Sequence, residues 1–208
     1  DFESPLLDLI GLKYVFMPFA LEPAKPYRLV KRWGSLRLYE NPGALPRAFM
    51  VSRILPAHDM REAGELVGSK GFDPRAAVVL ETTEHVTSEG GAVECDVRWV
   101  DRSTDRVKME VDAKAAGLLV VTDTDYPGWE ATVDGKEAPI YRANVAFRAV
   151  PLPAGKHEVE FRFRPEPVRH GILGSAIALI VALGYGLRRR GTRTAEASPT
   201  PDGSRSAP

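Results

Sequence analysis

The residues best suited to chemistry lie between Asp123 and Arg148. Asp123-Thr124-Asp125 spells a D-x-D, and two carboxylates so placed can hold Mg²⁺ or Mn²⁺ against a pyrophosphate. That use belongs at a strand end in a nucleotide-binding α/β sheet. No strand–helix alternation surrounds the motif, so it reads as a strand end capped by a polar turn. Tyr126, Trp129, Tyr141 and Phe147 could offer flat apolar faces to the C–H edges of a sugar ring. Trp129 alternates with Ala131 and Val133 and reads as core, which leaves Tyr126 as the surface candidate. Arg142, Asn144 and Arg148 could bond sugar hydroxyls or a lipid phosphate, although bracing neighbouring loops is the commoner use of such residues. Tyr126, Arg142, Asn144 and Arg148 are therefore the candidate ligand-binding residues, all expected at the surface.

Other chemistries find no residues to rest on. His58, His85, His157 and His170 stand at no metal-ligand spacing, and there is no nucleophile elbow, P-loop or paired cysteine motif. The reading assigns this chain no catalytic residue, metal or cofactor. Lys and Arg total 28 against 28 Asp and Glu, which gives no electrostatic case for nucleic acid. Cys95, the single cysteine, excludes an internal disulfide framework and reads as a buried core thiol.

These residues must be carried by strands. Residues 13–17, 36–40, 47–52, 76–82 and 118–122 are short strand candidates. Residues 92–100 alternate strictly, with Val93, Cys95, Val97 and Trp99 on one face, and 107–112 repeat the pattern. Asp134-Gly135 between 129–133 and 138–142 is a strong hairpin signal, and Pro153-Ala154-Gly155-Lys156 between 146–152 and 157–164 suggests a second. Ser4-Pro5 starts a short helix that Gly11 stops, and 59–67 has helical spacing. The expected fold is mainly β: a two-sheet, jelly-roll-like sandwich with one or two short helices. Its inward face should include Val93, Val97, Val107, Val111, Val159 and Phe161.

No residue from Gly171 to Leu187 is charged, a length of about 25 Å at roughly 1.5 Å per residue, the short end of a bilayer core. Arg188, Arg189 and Arg190 follow as a stop, then a Pro/Ser/Thr/Gly-rich tail expected to be disordered. The positive-inside rule puts the tail in the cytoplasm and the sandwich outside. Such a domain needs a signal peptide or earlier span, and the opening Asp1–Phe16 has neither, so the chain reads as the C-terminal part of a longer membrane protein. The expected divisions are a lead-in from a membrane region at 1–35, an exoplasmic sandwich at 36–165, a transmembrane helix with basic stop at 166–190, and a cytoplasmic tail at 191–208.

The segment from Asp123 onward resembles the C-terminal signature of the YfhO family of bacterial membrane proteins. The resemblance is carried by Asp123, Tyr126-Pro127-Gly128-Trp129, Val133-Asp134-Gly135, Arg142, Asn144, Phe147-Arg148-Ala149-Val150, Pro153-Ala154-Gly155 and His157. Leu6-Leu7-Asp8-Leu9, Gly11, Lys13-Tyr14-Val15, Tyr39-Glu40-Asn41 and Leu45-Pro46-Arg47-Ala48-Phe49 fit the same family in the same order. The resemblance implies a polytopic protein of the GT-C class of membrane glycosyltransferases, which transfer sugar from a polyprenyl-phosphate carrier to an acceptor such as a cell-wall polymer. The catalytic acid of that class usually lies in a first outward loop, so this chain would be a non-catalytic accessory domain and last span. Its partners would be the bilayer, the upstream membrane domain and an envelope glycan or lipid-linked sugar. The alternative is a stand-alone, membrane-anchored carbohydrate- or envelope-binding sandwich.

Overall fold

The computed structural model describes residues 4–21, 27–82, 90–165, 170–172 and 174–183. Residues Asp1–Arg164 form one compact unit and Pro165–Pro208 another. Three sheets build the first. A small one orders β1 (Tyr14–Met17), β3 (Leu36–Glu40) and β2 (Arg28–Trp33). A seven-stranded sheet runs β5 (Arg53–Ala57), β6 (Ala77–Glu81), β13 (Tyr141–Ala143), β14 (Phe147–Leu152), β10 (Gly117–Thr124), β4 (Ala48–Val51) and β7 (Ala92–Val93). A five-stranded sheet runs β12 (Lys136–Ala138), β11 (Trp129–Val133), β15 (Gly155–Phe163), β9 (Arg106–Ala113) and β8 (Cys95–Arg102).

The two large sheets pack face to face, as strands with one apolar face require. Met50, Leu119, Val121, Val150 and Leu152 from the seven-stranded sheet meet Val107, Met109, Val111, Val159 and Phe161 from the five-stranded one. Of the residues expected to point inward, Val107, Val111, Val159 and Phe161 are buried, while Val93 and Val97 lie half-buried at the margin. Cys95 is also half-buried there rather than fully enclosed, and that burial raises its thiol pKa.

The other face of the seven-stranded sheet is covered as well. Leu9 of α1 (Pro5–Leu9) and Ala63 and Val67 of α2 (Met60–Gly68) join Val51, Val78, Leu80, Val120 and Ala149 in a second core. Ser4 caps α1, with Pro5 next, and the Asp59 carboxylate accepts from the Glu62 amide to cap α2, as their residue types suggest. Helix α2 links β5 to β6, which pair in parallel, a β–α–β unit. This departs from the antiparallel, jelly-roll-like plan. β5 went unrecognised because Pro56 interrupts it and its residues do not alternate cleanly. β2 was missed too, since it is exposed throughout.

Several turns differ from their sequence reading. Val133 and Lys136 pair across Asp134 (φ 51°) and Gly135 (φ 75°), a two-residue hairpin turn with positive φ at both central positions. The strand read at 138–142, however, is broken: β12 stays with β11, whereas β13 joins β14 in the other sheet. The second expected hairpin does not form. β14 pairs with β10 and β13, and β15 with β9 and β11, so the segment between them is a corner between sheets. The strand read at 92–100 likewise divides, β7 pairing with β4 and β8 with β9.

The lead-in belongs to the folded unit. The Asp8 carboxylate accepts from Asn41 Nδ2 at 2.8 Å and from Arg75 Nη2 at 3.2 Å, and its carbonyl accepts from the Leu45 amide.

In the second unit, 170–172 and 174–183 are helical, and Ile177, Leu179, Ile180, Val181 and Leu183 are exposed. Among the described residues no helix is long and apolar enough to cross a membrane. Arg188–Arg190, the tail at 191–208, His85 and part of the Pro-rich connection (22–26) lie outside the described residues.

Two outcomes are expected. Phe161 is fully buried between the sheets, so Phe161→Ala should cost about 3–5 kcal/mol in the urea unfolding of the chain in mild detergent. Unchanged stability would remove Phe161 from the core. The second concerns pH. The Asp134 carboxylate accepts from His157 Nδ1 (2.7 Å) and the Glu158 amide (2.9 Å), in that order of effect, and is held below its ordinary value of 3.8. A depressed carboxylate stabilises the fold above its unfolded pKa, and that contribution is lost as pH falls through the folded value. Asp134→Asn keeps the positive φ but not the charge. The stability gap between wild type and Asp134→Asn should therefore shrink on acidification below about pH 4; a gap that stayed constant would show that the charge is not involved.

Candidate functional site

The signature residues converge at one end of the sandwich, where β10 leaves the seven-stranded sheet for β11. The β10–β14 register shifts between Val121 and Thr124. Such an irregularity re-aims side chains, and here Asp123 accepts from Arg47 and pairs with Arg148, whose Nη2 lies 3.4 Å away. Asp125 accepts from Arg142 Nε at 3.2 Å, and Arg142 Nη1 lies 3.9 Å from Glu81. The two carboxylates of the D-x-D therefore each face arginine. Among the described residues no group of three or more His, Cys, Asp or Glu could hold a metal ion.

Arg148 is not at the surface. Only 2% of it is exposed, and it stands on the same face of β14 as Val150 and Leu152, pointing between the sheets. Its guanidinium carbon lies 4.0 Å from the Trp129 ring centroid and 5.1 Å from that of Phe161. Nε and Nη1 are buried with no hydrogen-bond partner among the described residues, and the two rings attract the cation through their π-faces. Burial pulls the Arg148 pKa down, and Asp123 and Asp125 oppose that shift. Arg142 sits directly across from Arg148 in the ladder. Two cations opposed in this way repel, and Asp123, Asp125 and Glu81 offset that repulsion.

Asn144 is buried too, and its role is in the backbone. Its backbone N–H donates to Val79 O (2.8 Å) and its side-chain Oδ1 accepts from Val79 N (2.9 Å), so one residue extends the ladder between β13 and β6. The residue sits at φ 49°, a left-handed conformation that asparagine tolerates. Asn144 and Arg148, both expected at the surface as residues near the signature hairpins, are instead buried: Asn144 follows β13 and bonds Val79, and Arg148 shares the inward face of β14 with Val150 and Leu152.

Tyr126 does project outward, 63% exposed, with its ring 6.3 Å from Phe163. Trp129 packs against the inter-sheet core as expected, 5.3 Å from Phe163 on its other side. The remaining aromatics do not join them in one platform. Phe147 packs on the helix-side core, and Tyr141 lines a separate groove of about 330 Å³ with Leu118 and Pro151. A larger groove of about 770 Å³ runs beside β11, β12 and β15, where Trp129, Thr132, Glu137, Ile140, Glu160 and Arg162 line it. Gly128, at φ 108°, lets the loop turn between Tyr126 and Trp129, and its carbonyl accepts from the Arg164 amide. The site thus combines an arginine–carboxylate network built around the buried Arg148, an exposed tyrosine and a polar groove.

Residues 87–175 match the family described as bacterial membrane protein YfhO. This stretch is a YfhO-family region. It takes in β7 to β15, including the D-x-D, Arg142, Arg148 and Tyr126 but not Arg47 or Glu81, and it reaches the helical residues after 170. The YfhO-like segments between Leu6 and Phe49 lie ahead of the matched residues. No curated protein and no solved structure matches the chain.

The geometry separates two roles for Arg148. Arg148→Met keeps an apolar stem over Trp129 and leaves Asp123 paired with Arg47, so it should cost less than about 1.5 kcal/mol. Arg148→Ala opens a cavity and should cost about 3 kcal/mol or more in urea unfolding. Equal losses in the two variants would mean that the charge, not the packing, holds this end together.

Proposed function

We propose that the chain is the extracytoplasmic domain and last membrane span of a YfhO-like polytopic protein, accessory to sugar transfer from a polyprenyl-phosphate carrier to a cell-envelope glycan. In this reading 166–190 cross the membrane, the β domain lies outside and the tail at 191–208 inside. The observation that carries it is the match of 87–175 to a bacterial membrane family, running from the β domain into the uncharged stretch that starts at Gly171. The arginine–carboxylate network supports a non-catalytic role, because its acids are already engaged by Arg47, Arg142 and Arg148. Tyr126 is the one candidate whose ring is free to stack on a sugar, and the adjoining polar groove supplies carboxylates and an arginine for hydroxyls. Arg142, Asn144 and Arg148 hold that surface in shape.

In cells making the native protein, Tyr126→Ala should lower glycan transfer several-fold with membrane abundance unchanged. Asn144→Ala should instead lower abundance, since it leaves the buried Val79 amide without its acceptor. Unaltered transfer in Tyr126→Ala, with glycan binding retained by the chain alone, would favour a stand-alone envelope-binding module.

A further inference from the structure

Among the described residues of the first unit, the β1–β3–β2 sheet turns apolar side chains outward as a group. Its inner face is small: Met17, Tyr27 and Tyr39, with Val15 and Leu21 beside them. On the outer face the register places Phe16 opposite Leu38, Leu38 opposite Lys31, and Trp33 opposite Leu36. Tyr14 is 50% exposed, Phe16 57%, Trp33 46% and Leu36 38%, and the Phe16 and Trp33 rings lie 6.0 Å apart. Arg28 and Lys31 share this outer face with one acid, Glu40, which pairs with Arg28, while Arg32 and Arg37 belong to the inner face. Lys31 Nζ lies 5.0 Å from the Trp33 ring centroid and Lys13 Nζ 5.7 Å from that of Tyr14.

We propose that this face seats in the headgroup region of a bilayer containing anionic phospholipid. Isolated exposed apolar residues need no explanation, but a contiguous aromatic ladder does. Trp and Tyr rings settle at the boundary between headgroups and acyl chains, where one side of the ring is dry and the other wet. Lysine and arginine on the same face meet lipid phosphates there without giving up their hydration, whereas a dry protein partner would strip it. The aromatic rings and the basic side chains thus point to one occupant. This contact is separate from the span at 166–190, and it would hold the β domain against the surface rather than merely tether it.

The test uses the full chain reconstituted into vesicles of phosphatidylcholine with phosphatidylglycerol. A spin label goes on Leu36→Cys in a Cys95→Ala background, with Glu137→Cys on exposed β12 as the control. The Leu36 label should collide several-fold less with a water-soluble nickel chelate than the Glu137 label, and more with oxygen. Protection should fall in vesicles of phosphatidylcholine alone, and in Lys31→Glu with Lys13→Glu. A Leu36 label as open to the chelate as the control overturns the proposal. So does protection that ignores both lipid charge and charge reversal, and dipolar broadening between labels would then identify a second copy as the cover. Retention of the chain by vesicles after a carbonate wash reports the membrane span separately, so loss of one contact is distinguishable from loss of the other.

Discussion

Strand β10 is buried on both faces, and the rest of the domain is arranged around that fact. Leu118 and Val120 face the helix-side core while Leu119 and Val121 face the second sheet. β4 and β14 supply its hydrogen bonds on either edge. A strand with no wet face cannot tolerate an unpaired amide or an uncovered side chain, so both flanking layers are obligatory. Helices α1 and α2 cover one side and the five-stranded sheet covers the other. The same condition draws the lead-in into the fold, because Leu9 belongs to the helix-side core. Asp8, held by Asn41 and Arg75, then ties α1 to segments far along the chain.

Double burial also explains the arginine network. The open end of a sandwich exposes the last inward positions of its strands, and here those positions are occupied by arginines and acids instead of apolar residues. Arg148 covers the end of the core with its guanidinium carbon 4.0 Å from the Trp129 ring centroid, and Asp123 neutralises it from the re-aimed end of β10. A buried cation is costly unless its charge is met and its faces are packed, and both conditions are satisfied by neighbouring residues of one short segment. The proposed recognition surface, Tyr126 and the polar groove, lies just beyond this plug, which fixes where the Tyr126 loop leaves the sheet.

Much of this was legible from residue types. The caps at Ser4 and Asp59, the turn at Asp134-Gly135, the mainly β character and the burial of Phe161 and Val159 follow from local chemistry and period-two alternation, which operate within a few residues. The family resemblance was legible for the same reason, since its motifs are contiguous in sequence.

What the sequence could not settle was which sheet each strand would join. The chain passes between the two large sheets at Glu94, at Pro139-Ile140 and at Pro153-Ala154, in the middle of segments that read as single strands or hairpins. Alternation is identical on either side of such a corner, because both sheets present an apolar face to the same core. The positions of Asn144 and Arg148 were hidden by the same limit, because Val79 of β6 engages the one and Trp129 and Phe161 of the facing sheet cover the other. By itself, the sequence determined most of the elements, though not β2 or β5, and their caps and one tight turn, because these depend on neighbours along the chain. The tertiary structure decided strand partners, the sealing of Arg148 and the exposure of Tyr126, because these depend on which layers close over each face.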